Sequence, residues 1–500
     1  MCLPALYLLV RTLELGEAAW AFLSSARNLQ ILWNSAMLVA SVTASSVALA
    51  VPLAWLTVRA DLPLRRFWSA VTPLPLVIPS YVGAYLFVLF LGEKGTLQGW
   101  LQGLGVERLP GIYGFFGAWL VLSLLCFPYV LLSLRAALWR MDPGLEESAR
   151  SLGHCALETF FRVTLPLLRP ALLAGALLVA LYTLSDFGAV SVLNYKTFTW
   201  AIYLQYGTIN RALAAALSTV LVACAVLLLF AERWARGRTT YYRSGTGAGA
   251  PPKLVALGRW RWPAFALCAL VTSLSLGVPL GVLLQWFLKG VAAGESIQGL
   301  VPAALNSLCA SALAALAALA AALPVAILSV RYPSRSSLLI ERITYIGFGL
   351  PGIVVALSLV FFAIHYARPL YQTLPMLILA YVVLFLPAAV GALRVRLLQV
   401  NPNFEAAARG LGKTPWRAFA AVQLPLIHSG ALAAGALVFL LAMKELPATL
   451  ILGPTGFKTL ATSVWSSISE AFYAQAAAPS LLLVLVSCGS LAMMLARERR

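Results

Sequence analysis

The sequence predicts an all-α polytopic membrane protein with about 12 transmembrane helices, arranged as two parallel six-helix repeats. Three observations predict it. Apolar residues make up 61% of the 500 residues and charged residues only 11%, which is too little charge for a water-soluble surface. Apolar runs of membrane-spanning length recur along the chain, and a charged segment between two of them occurs a second time further on.

The predicted membrane spans follow from run length, because a transmembrane helix needs about 20 mainly apolar residues. Several runs contain Pro or Gly, which membrane bundles tolerate where neighbouring helices satisfy the backbone. The full-length runs are 31–58, 67–91, 111–134, 171–190, 212–230, 263–287, 307–330, 343–364, 374–393, 432–452 and 477–494. A further run, 2–10, is apolar but too short to span. We therefore expect a shortened or incomplete first helix.

The distribution of basic residues predicts the orientation in the membrane. Of the 36 Lys and Arg residues, 26 lie in one set of alternate loops, namely 59–66, 135–170, 231–262, 331–342, 394–429 and 495–500. Because cytoplasmic loops carry the excess of Lys and Arg, this set and the C-terminus are predicted to be cytoplasmic. The net charge of +19 is thus spread over short loops instead of one basic patch, which argues against nucleic acid as a partner.

The chain is internally duplicated. Segments 142–168 and 401–427 share 11 of 27 positions, and upstream Asn34-Ser35 matches Asn306-Ser307 at an offset of 272. Six spans per repeat is an even number, so both repeats would have the same orientation, unlike the inverted repeats of many secondary transporters. The predicted domains are a first module, a cytoplasmic linker and a second module, at 1–230, 231–262 and 263–500.

Both copies of the duplicated segment begin with a strong helix-start signal. Asp142-Pro143 and Asn401-Pro402 each place a capping side chain before a Pro at the first helical position. In the first copy Leu145, Ala149 and Leu152 fall at positions i, i+4 and i+7, which predicts a small apolar stripe on a short helix.

A glycine turn follows this short helix in each copy. Gly153 and Gly412 permit the left-handed conformation that ends a helix. A second short helix should follow, and Pro166 should break it before the next span. The exposed face, with small apolar groups beside charges, suits docking into a groove on a soluble partner. The alternative is an amphipathic helix that lies on the bilayer surface.

The pattern Glu-x-Ala-x-x-x-Gly followed by Leu-Pro resembles the EAA loop of permease subunits in binding-protein-dependent ABC importers. In that family the loop is the coupling helix that docks on the ATPase subunit, and the fold is the ABC importer type I transmembrane fold. The resemblance implies these coupling residues: Glu146, Glu147, Ala149, Arg150, Gly153, Pro166, Glu405, Ala407, Ala408, Arg409, Gly412 and Pro425. The second copy departs from the pattern, since Ala406 stands where the Glu belongs. We therefore expect a weaker or shifted docking contact there.

Within that family the chain resembles the fused ferric-iron importer permease, on segments 78–81, 184–190 and 443–449. This resemblance implies ferric iron as cargo, an external or periplasmic binding protein, two copies of an ATPase subunit, surrounding lipid and the bacterial inner membrane. Fused thiamine and phosphonate importers are similar and remain alternatives, as does a secondary transporter driven by an ion gradient. A membrane-embedded enzyme would need a convergent His, Asp or Cys cluster, which the sequence does not suggest.

We expect no cofactor on this chain and ATP on the partner subunit. The segment 453–459 superficially suggests a phosphate-binding loop, but Phe457 stands before Lys458 where that loop requires Gly. ATP hydrolysis is therefore expected on a separate subunit. His154, His365 and His428 are scattered without ligand spacing, so no fixed metal site is predicted.

Two carboxylates and two amides are the candidate residues of the translocation path. Asp186 and Glu445 occupy equivalent positions in or just after the span that follows each loop. Ionisable groups there usually face a cavity or a partner, and carboxylate oxygens suit a hard cation such as Fe³⁺. The alternatives are contact with the binding protein, or for Glu445 a pair with Lys444. Asn34 and Asn306 begin corresponding spans, as helix caps or as gate residues.

Overall fold

The computed structural model describes residues 2–14, 16–93, 95–103, 109–141, 143–206, 211–236, 254–295, 298–347, 350–401 and 403–498. Within these ranges the chain is helical, without any β-strand, and an isolated bridge joins Ala60 to Val255. The all-α prediction is confirmed.

The helices recur in the same order in the two halves of the sequence. Up to residue 236 the α-helices are Cys2–Glu14, Glu17–Leu23, Ala26–Arg59, Arg65–Val71, Ser80–Leu91, Thr96–Gln102, Phe115–Arg140, Pro143–Ser151, Ala156–Thr159, Leu165–Ser185, Gly188–Val192, Phe198–Tyr206 and Arg211–Arg236, with a 3₁₀ turn at Leu74–Val77 and a π turn at Phe160–Thr164.

After residue 253 the α-helices are Arg261–Thr272, Val278–Ala292, Leu300–Arg331, Arg335–Ile346, Gly352–Tyr366, Leu374–Gln399, Asn403–Gly410, Pro415–Ala418, Leu424–Met443, Pro447–Leu452, Leu460–Ser469 and Tyr473–Glu498. The 3₁₀ turns are Gly258–Trp260 and Arg368–Leu370, and the π turns are Ser273–Gly277 and Phe419–Gln423. From Leu300 onward this order follows that of the first half from Ala26 onward, except that the 3₁₀ turn Arg368–Leu370 stands where the first half has the helix Thr96–Gln102. The duplication is thus present in the structure as well as in the sequence.

The number of uninterrupted spans is smaller than the twelve expected. Among the described residues nine helices are long and apolar enough to cross a membrane, or ten if one bent pair counts as a span. The bent pair is Arg65–Val77 with Ser80–Gln102, at 99°, so the predicted span 67–91 is not straight. The predicted span 343–364 likewise is not one helix, because it covers the end of Arg335–Ile346 and most of the separate helix Gly352–Tyr366. The run 2–10 belongs to the 13-residue helix Cys2–Glu14.

Prolines account for these breaks. Pro79 and Pro351 have extended backbone at ψ 146° and 144°, and each stands directly before a helix. Proline lacks the N–H that a continuing helix would need, and it favours the first turn of a new one. Two further predicted spans, 171–190 and 432–452, run past the actual helix ends at Ser185 and Met443.

Backbone contacts divide the chain into two compact units that do not follow chain order. One contains Ala26–Trp200 and Ala223–Leu283, and the other contains Met1–Ser25, Ala201–Val222 and Leu284–Arg500. The first helix accordingly packs with the second half of the sequence: Tyr7 stacks on Phe361 with ring centroids 4.2 Å apart. The modules 1–230 and 263–500, which were defined by the sequence repeat, stay a prediction.

The end of the predicted linker is attached to the first of these units. The backbone N–H of Val255 donates to the carbonyl oxygen of Arg59 at 2.7 Å, and Leu257 N–H donates to Asp61 Oδ1 at 2.8 Å. Residues 237–253 of the linker lie outside the described residues.

Small residues allow close helix packing in the second unit. The helix Leu300–Arg331 presents a buried alanine stripe to the helices Leu374–Gln399 and Leu424–Met443, formed by Ala315, Ala318, Ala322 and Ala326. Membrane helices associate through such small residues because lipid offers no hydrophobic driving force between them. This packing places the loop between those two helices at one end of the bundle.

Candidate coupling and translocation residues

Each loop turns at its glycine, as the sequence predicts. Gly153 has φ +92° and Gly412 has φ +81°. Gly153 N–H donates to the carbonyl oxygen of Arg150 at 3.0 Å, and His154 N–H donates to that of Ala149 at 3.2 Å. This bond pair is the Schellman motif, which satisfies the last carbonyls of a helix and needs a left-handed residue. The second loop repeats both bonds at Gly412 and Lys413.

The predicted helix starts are described only in part. Asn401 Oδ1 accepts a hydrogen bond from Asn403 N–H at 3.0 Å, which is the capping contact expected of Asn before a helix. Asp142 and Pro402 lie outside the described residues.

The predicted apolar stripe is divided between two faces. Ala149 and its equivalent Ala408 are buried at 7% and 6% exposure. Leu152 and its equivalent Leu411 are 81% and 84% exposed. Leu145 and Phe404, seven residues earlier in each loop, are also exposed. In each loop the alanine therefore faces the protein, while the large apolar side chains project outward at equivalent positions.

Charged side chains accompany this projecting face. Glu147, Arg150 and Arg409 are exposed, as is the uncharged Ala407. In the second short helix, Glu158 lies near His154, with Nδ1 to Oε2 at 3.3 Å, and near Arg162. The pKa of Glu158 lies below its ordinary value because the His154 hydrogen bond, the Cys155 N–H and the Arg162 charge favour the ionised carboxylate.

The expected helix break at Pro166 is wrong. The chain stays helical from Ala156 to Ser185, through the π turn Phe160–Thr164. Pro166 stands in the first turn of the helix Leu165–Ser185, where a missing N–H is tolerated. Pro425 occupies the same place in the helix Leu424–Met443.

Glu146 faces inward, unlike its neighbour Glu147. Its Oε1 accepts a hydrogen bond from the hydroxyl of Thr164 at 2.7 Å. Its Oε2 lies 3.8 Å from Nη1 of Arg59, a side chain that is 1% exposed. In the second half Glu405 accepts a hydrogen bond from the side-chain amide of Gln423. Glu405, and not Ala406, is thus the structural equivalent of the first-half contact residue.

Asp186 is held by backbone donors. Its Oδ1 accepts from Ala189 N–H at 2.9 Å and from Val190 N–H at 3.4 Å. Ser80, the first residue of the helix after the Pro79 break, also hydrogen-bonds to this carboxylate. Asp186 therefore caps the short helix Gly188–Val192 and is 7% exposed.

Glu445 repeats this arrangement with a longer side chain. Its Oε1 accepts from Ala448 N–H at 3.3 Å, and Thr449 Oγ1 donates to its carbonyl oxygen at 2.6 Å. The carboxylate lies against Gly352, where an added Cβ would overlap Oε1. Gly352 follows Pro351 as Ser80 follows Pro79. Both carboxylates are thus bonded as helix caps, and their role in a path stays a prediction.

Asn34 and Asn306 do not begin their helices, so the capping interpretation is wrong. They lie inside Ala26–Arg59 and Leu300–Arg331. Asn34 Nδ2 donates to the carbonyl oxygen of Lys196 at 3.1 Å, and Asn306 Nδ2 donates to that of Lys458 at 2.9 Å. A gate role for these amides stays a prediction.

The structure brings no metal-binding cluster together. Within the described ranges no group of three or more His, Cys, Asp and Glu side chains could hold a metal ion. His154, His365 and His428 each have a neighbour close in sequence as hydrogen-bond partner.

A family model described as the binding-protein-dependent transport system inner membrane component matches this chain twice, over residues 46–239 and 314–500. The chain belongs to this family. It is a multi-pass inner-membrane permease with two permease modules fused in one polypeptide, and this membership argues against a gradient-driven secondary transporter.

Known permeases resemble the chain over different lengths. It is 37% identical to the Fe(3+)-transport system permease protein FbpB 2 of Haemophilus influenzae, over 97% of this chain and 94% of that protein. It is 30% identical to the molybdenum transport system permease protein ModB of Escherichia coli, over 40% of this chain and 92% of that one. The sulfate transport system permease protein CysW of Escherichia coli is 27% identical over 47% of this chain and 83% of its own length.

Sequence reasoning missed two features of this permease. Lys196-Thr197 and Lys458-Thr459 are a repeated dipeptide at an offset of 262, and it marks the two places where a lysine carbonyl oxygen accepts from Asn34 or Asn306. The π turns left no signal of their own, although the donors Thr164 and Gln423 at their last positions align at the offset of 259 already found in the loop.

Proposed function

We propose that this permease passes ferric iron across the inner membrane, after delivery by an external binding protein. The observation that carries the proposal is the 37% identity to an Fe(3+)-transport permease over 97% of the chain. The molybdenum and sulfate permeases are less similar, at 30% and 27% identity, and each matches less than half of this chain. Thiamine and phosphonate, the cargoes of similar fused importers, remain the alternatives to ferric iron.

We further propose that two ATPase subunits dock on the two loops. The support is the outward projection of Leu152 and Leu411 at equivalent positions, 81% and 84% exposed. Burying a leucine side chain contributes about 1.5–3 kcal/mol, so each leucine suits insertion into an apolar groove of a partner. ATP would bind to those subunits and not to this chain. The loops, linker and C-terminus would then face the cytoplasm, with surrounding lipid along the spans.

The cargo test uses the full permease with its ATPase and binding protein in proteoliposomes. Labelled ferric iron, molybdate, sulfate, thiamine and a phosphonate are each supplied with ATP inside the vesicles. We expect ATP-dependent uptake of iron alone. Uptake of thiamine or the phosphonate without iron uptake would contradict ferric iron as the cargo. It would leave the assignment to the ABC importers unchanged.

The docking test replaces Leu152 and Leu411 with Ser in one chain. We expect the ATPase to co-purify at least about tenfold less, because each change removes apolar contact worth more than about 1.4 kcal/mol. The matched control is Phe161→Ser, since Phe161 is also exposed, at 58%, but lies beyond the turn. Equal loss in the control would contradict specific docking through the leucines.

A further inference from the structure

Each coupling loop contains one internal hydrogen bond that bridges 18 residues. In the first half it joins Thr164 to Glu146, and in the second it joins Gln423 to Glu405. Both donors are buried, at 1% and 3% exposure. The acceptor is Glu in both halves, while the donor is a hydroxyl in one and an amide in the other. What the halves share is therefore the bond, and not the donor residue.

The donor is the last residue of a π turn in both halves. The turns Phe160–Thr164 and Phe419–Gln423 stand at aligned positions, directly before the membrane helix. π turns are rare, and they occur mostly as single turns at functional positions. The two turns differ in three of their five residues, so a common sequence does not account for them.

The bond provides a short route from the loop helix to the membrane helix. Along the chain, the two groups are connected only through the turn at Gly153, where an added Cβ would meet nothing within 4 Å. That turn is exposed and open. The hydrogen bond instead joins the helix Pro143–Ser151 directly to the start of Leu165–Ser185.

Arg59 adds a second attachment in the first half. Its guanidinium is buried at the end of the helix Ala26–Arg59, 3.8 Å from Glu146, and it also donates to the carbonyl oxygen of Leu138 at 3.4 Å. A buried charge is costly unless it is paired, so Glu146 is tied to this helix as well. Its carboxylate thereby links the loop helix to two membrane helices.

We propose that Glu146 and Glu405 are positioning residues that fasten each coupling helix to the span following it, so that movement of the helix is passed into the membrane. This inference rests on the coupling role proposed above. It assigns the inward glutamate of the loop to force transfer within the permease, while the exposed leucines make the contact with the partner.

The test removes the two donors and keeps their size. The double variant Thr164→Val with Gln423→Met is compared with Thr164→Ser, which retains a hydroxyl. In proteoliposomes we measure co-purified ATPase and the ratio of cargo taken up to ATP hydrolysed. One buried hydrogen bond left unmade shifts an equilibrium by about tenfold, so we expect a similar fall in the ratio with the ATPase still bound.

The conservative variant decides between positioning and general stability. Thr164→Ser should keep the wild-type ratio. An unchanged ratio in the double variant, or an equal fall in Thr164→Ser, would overturn the inference. If the double variant does not assemble, the single variants Thr164→Val and Gln423→Met carry the same test with one half intact. Failure of the wild-type chain to bind any ATPase is a separate result that would remove the proposed function itself.

Discussion

Ser35 accepts a hydrogen bond from the backbone N–H of Phe198 at 3.1 Å, and Ser307 accepts the same bond from Leu460 at 2.7 Å. The preceding residues, Asn34 and Asn306, bond the carbonyl oxygens two residues before those donors. Two adjacent polar side chains on one membrane helix thus hold the entry into a short helix, and the pair is repeated in the other half.

Loss of the serine should destabilise the permease more than loss of the asparagine. Ser35 is buried at 4% exposure, so Ser35→Ala leaves a buried N–H without its acceptor, which costs about 1–3 kcal/mol. Asn34 is only half-buried and its bond to Lys196 is exposed, so in Asn34→Ala water can replace the lost amide as the donor. Thermal unfolding in detergent should show this order, with Ser41→Ala as a control on the same helix. Normal stability but altered uptake in Asn34→Ala would instead favour a gate.

Valine at either turn glycine should uncouple transport without preventing insertion. A β-branched residue at φ near +90° is strained, and the left-handed conformation costs about 1–2 kcal/mol. The valine would not be destabilised by a steric clash, since nothing lies within 4 Å of a Cβ added at Gly153 or Gly412. Gly153→Val should impair ATP-driven uptake more than Gly412→Val, because the first loop keeps the full motif.

The matched control at this turn is Gly153→Asn, because Asn adopts the left-handed conformation more readily. Its uptake should lie between wild type and Gly153→Val. Normal transport by Gly153→Val with Gly412→Val would refute the coupling role of the turns.

Neutralising both carboxylates separates a path role from a capping role. Asp186→Asn with Glu445→Gln keeps hydrogen-bonding oxygens near Ala189 and Ala448, so caps should weaken by only about 0.5–1 kcal/mol. If the residues line the path, uptake of a cation should fall strongly, with partial losses in the single variants and with unchanged assembly and basal ATPase activity.

Affinity for the binding protein is measured beside uptake in the same variants. Weaker binding would indicate that the two carboxylates contact the binding protein. Unchanged affinity and unchanged iron uptake would leave Asp186 and Glu445 as helix caps alone.

Tags should report the orientation that the basic loops predict. A tag within 231–262 or at the C-terminus should be accessible only from the cytoplasm, and a tag within 92–110 only from outside. Protease protection of inverted and right-side-out vesicles measures this. Cleavage of the linker from the outer face would reverse the assignment.

The sequence was sufficient for features that depend on one residue type. Gly153 and Gly412 could be assigned a left-handed turn because few other residues adopt it. The prediction at Pro166 was wrong because proline breaks a helix interior but is tolerated in a first turn. The sequence did not show that a helix starts at Leu165. The inward turn of Glu146 could not be predicted either, since two adjacent glutamates look alike until the π turn places Thr164 beside one of them.

The close approach of Glu445 to Gly352 distinguishes the two halves. One half combines a short acid with Ser80, and the other combines a long acid with glycine, so the larger side chain belongs to a different partner in each half. A serine at 352 would place its Cβ against Oε1 of Glu445, so the carboxylate would have to leave the position in which it accepts from Ala448 N–H. A chimera that exchanges segments between the halves should therefore transfer the acid and its partner together.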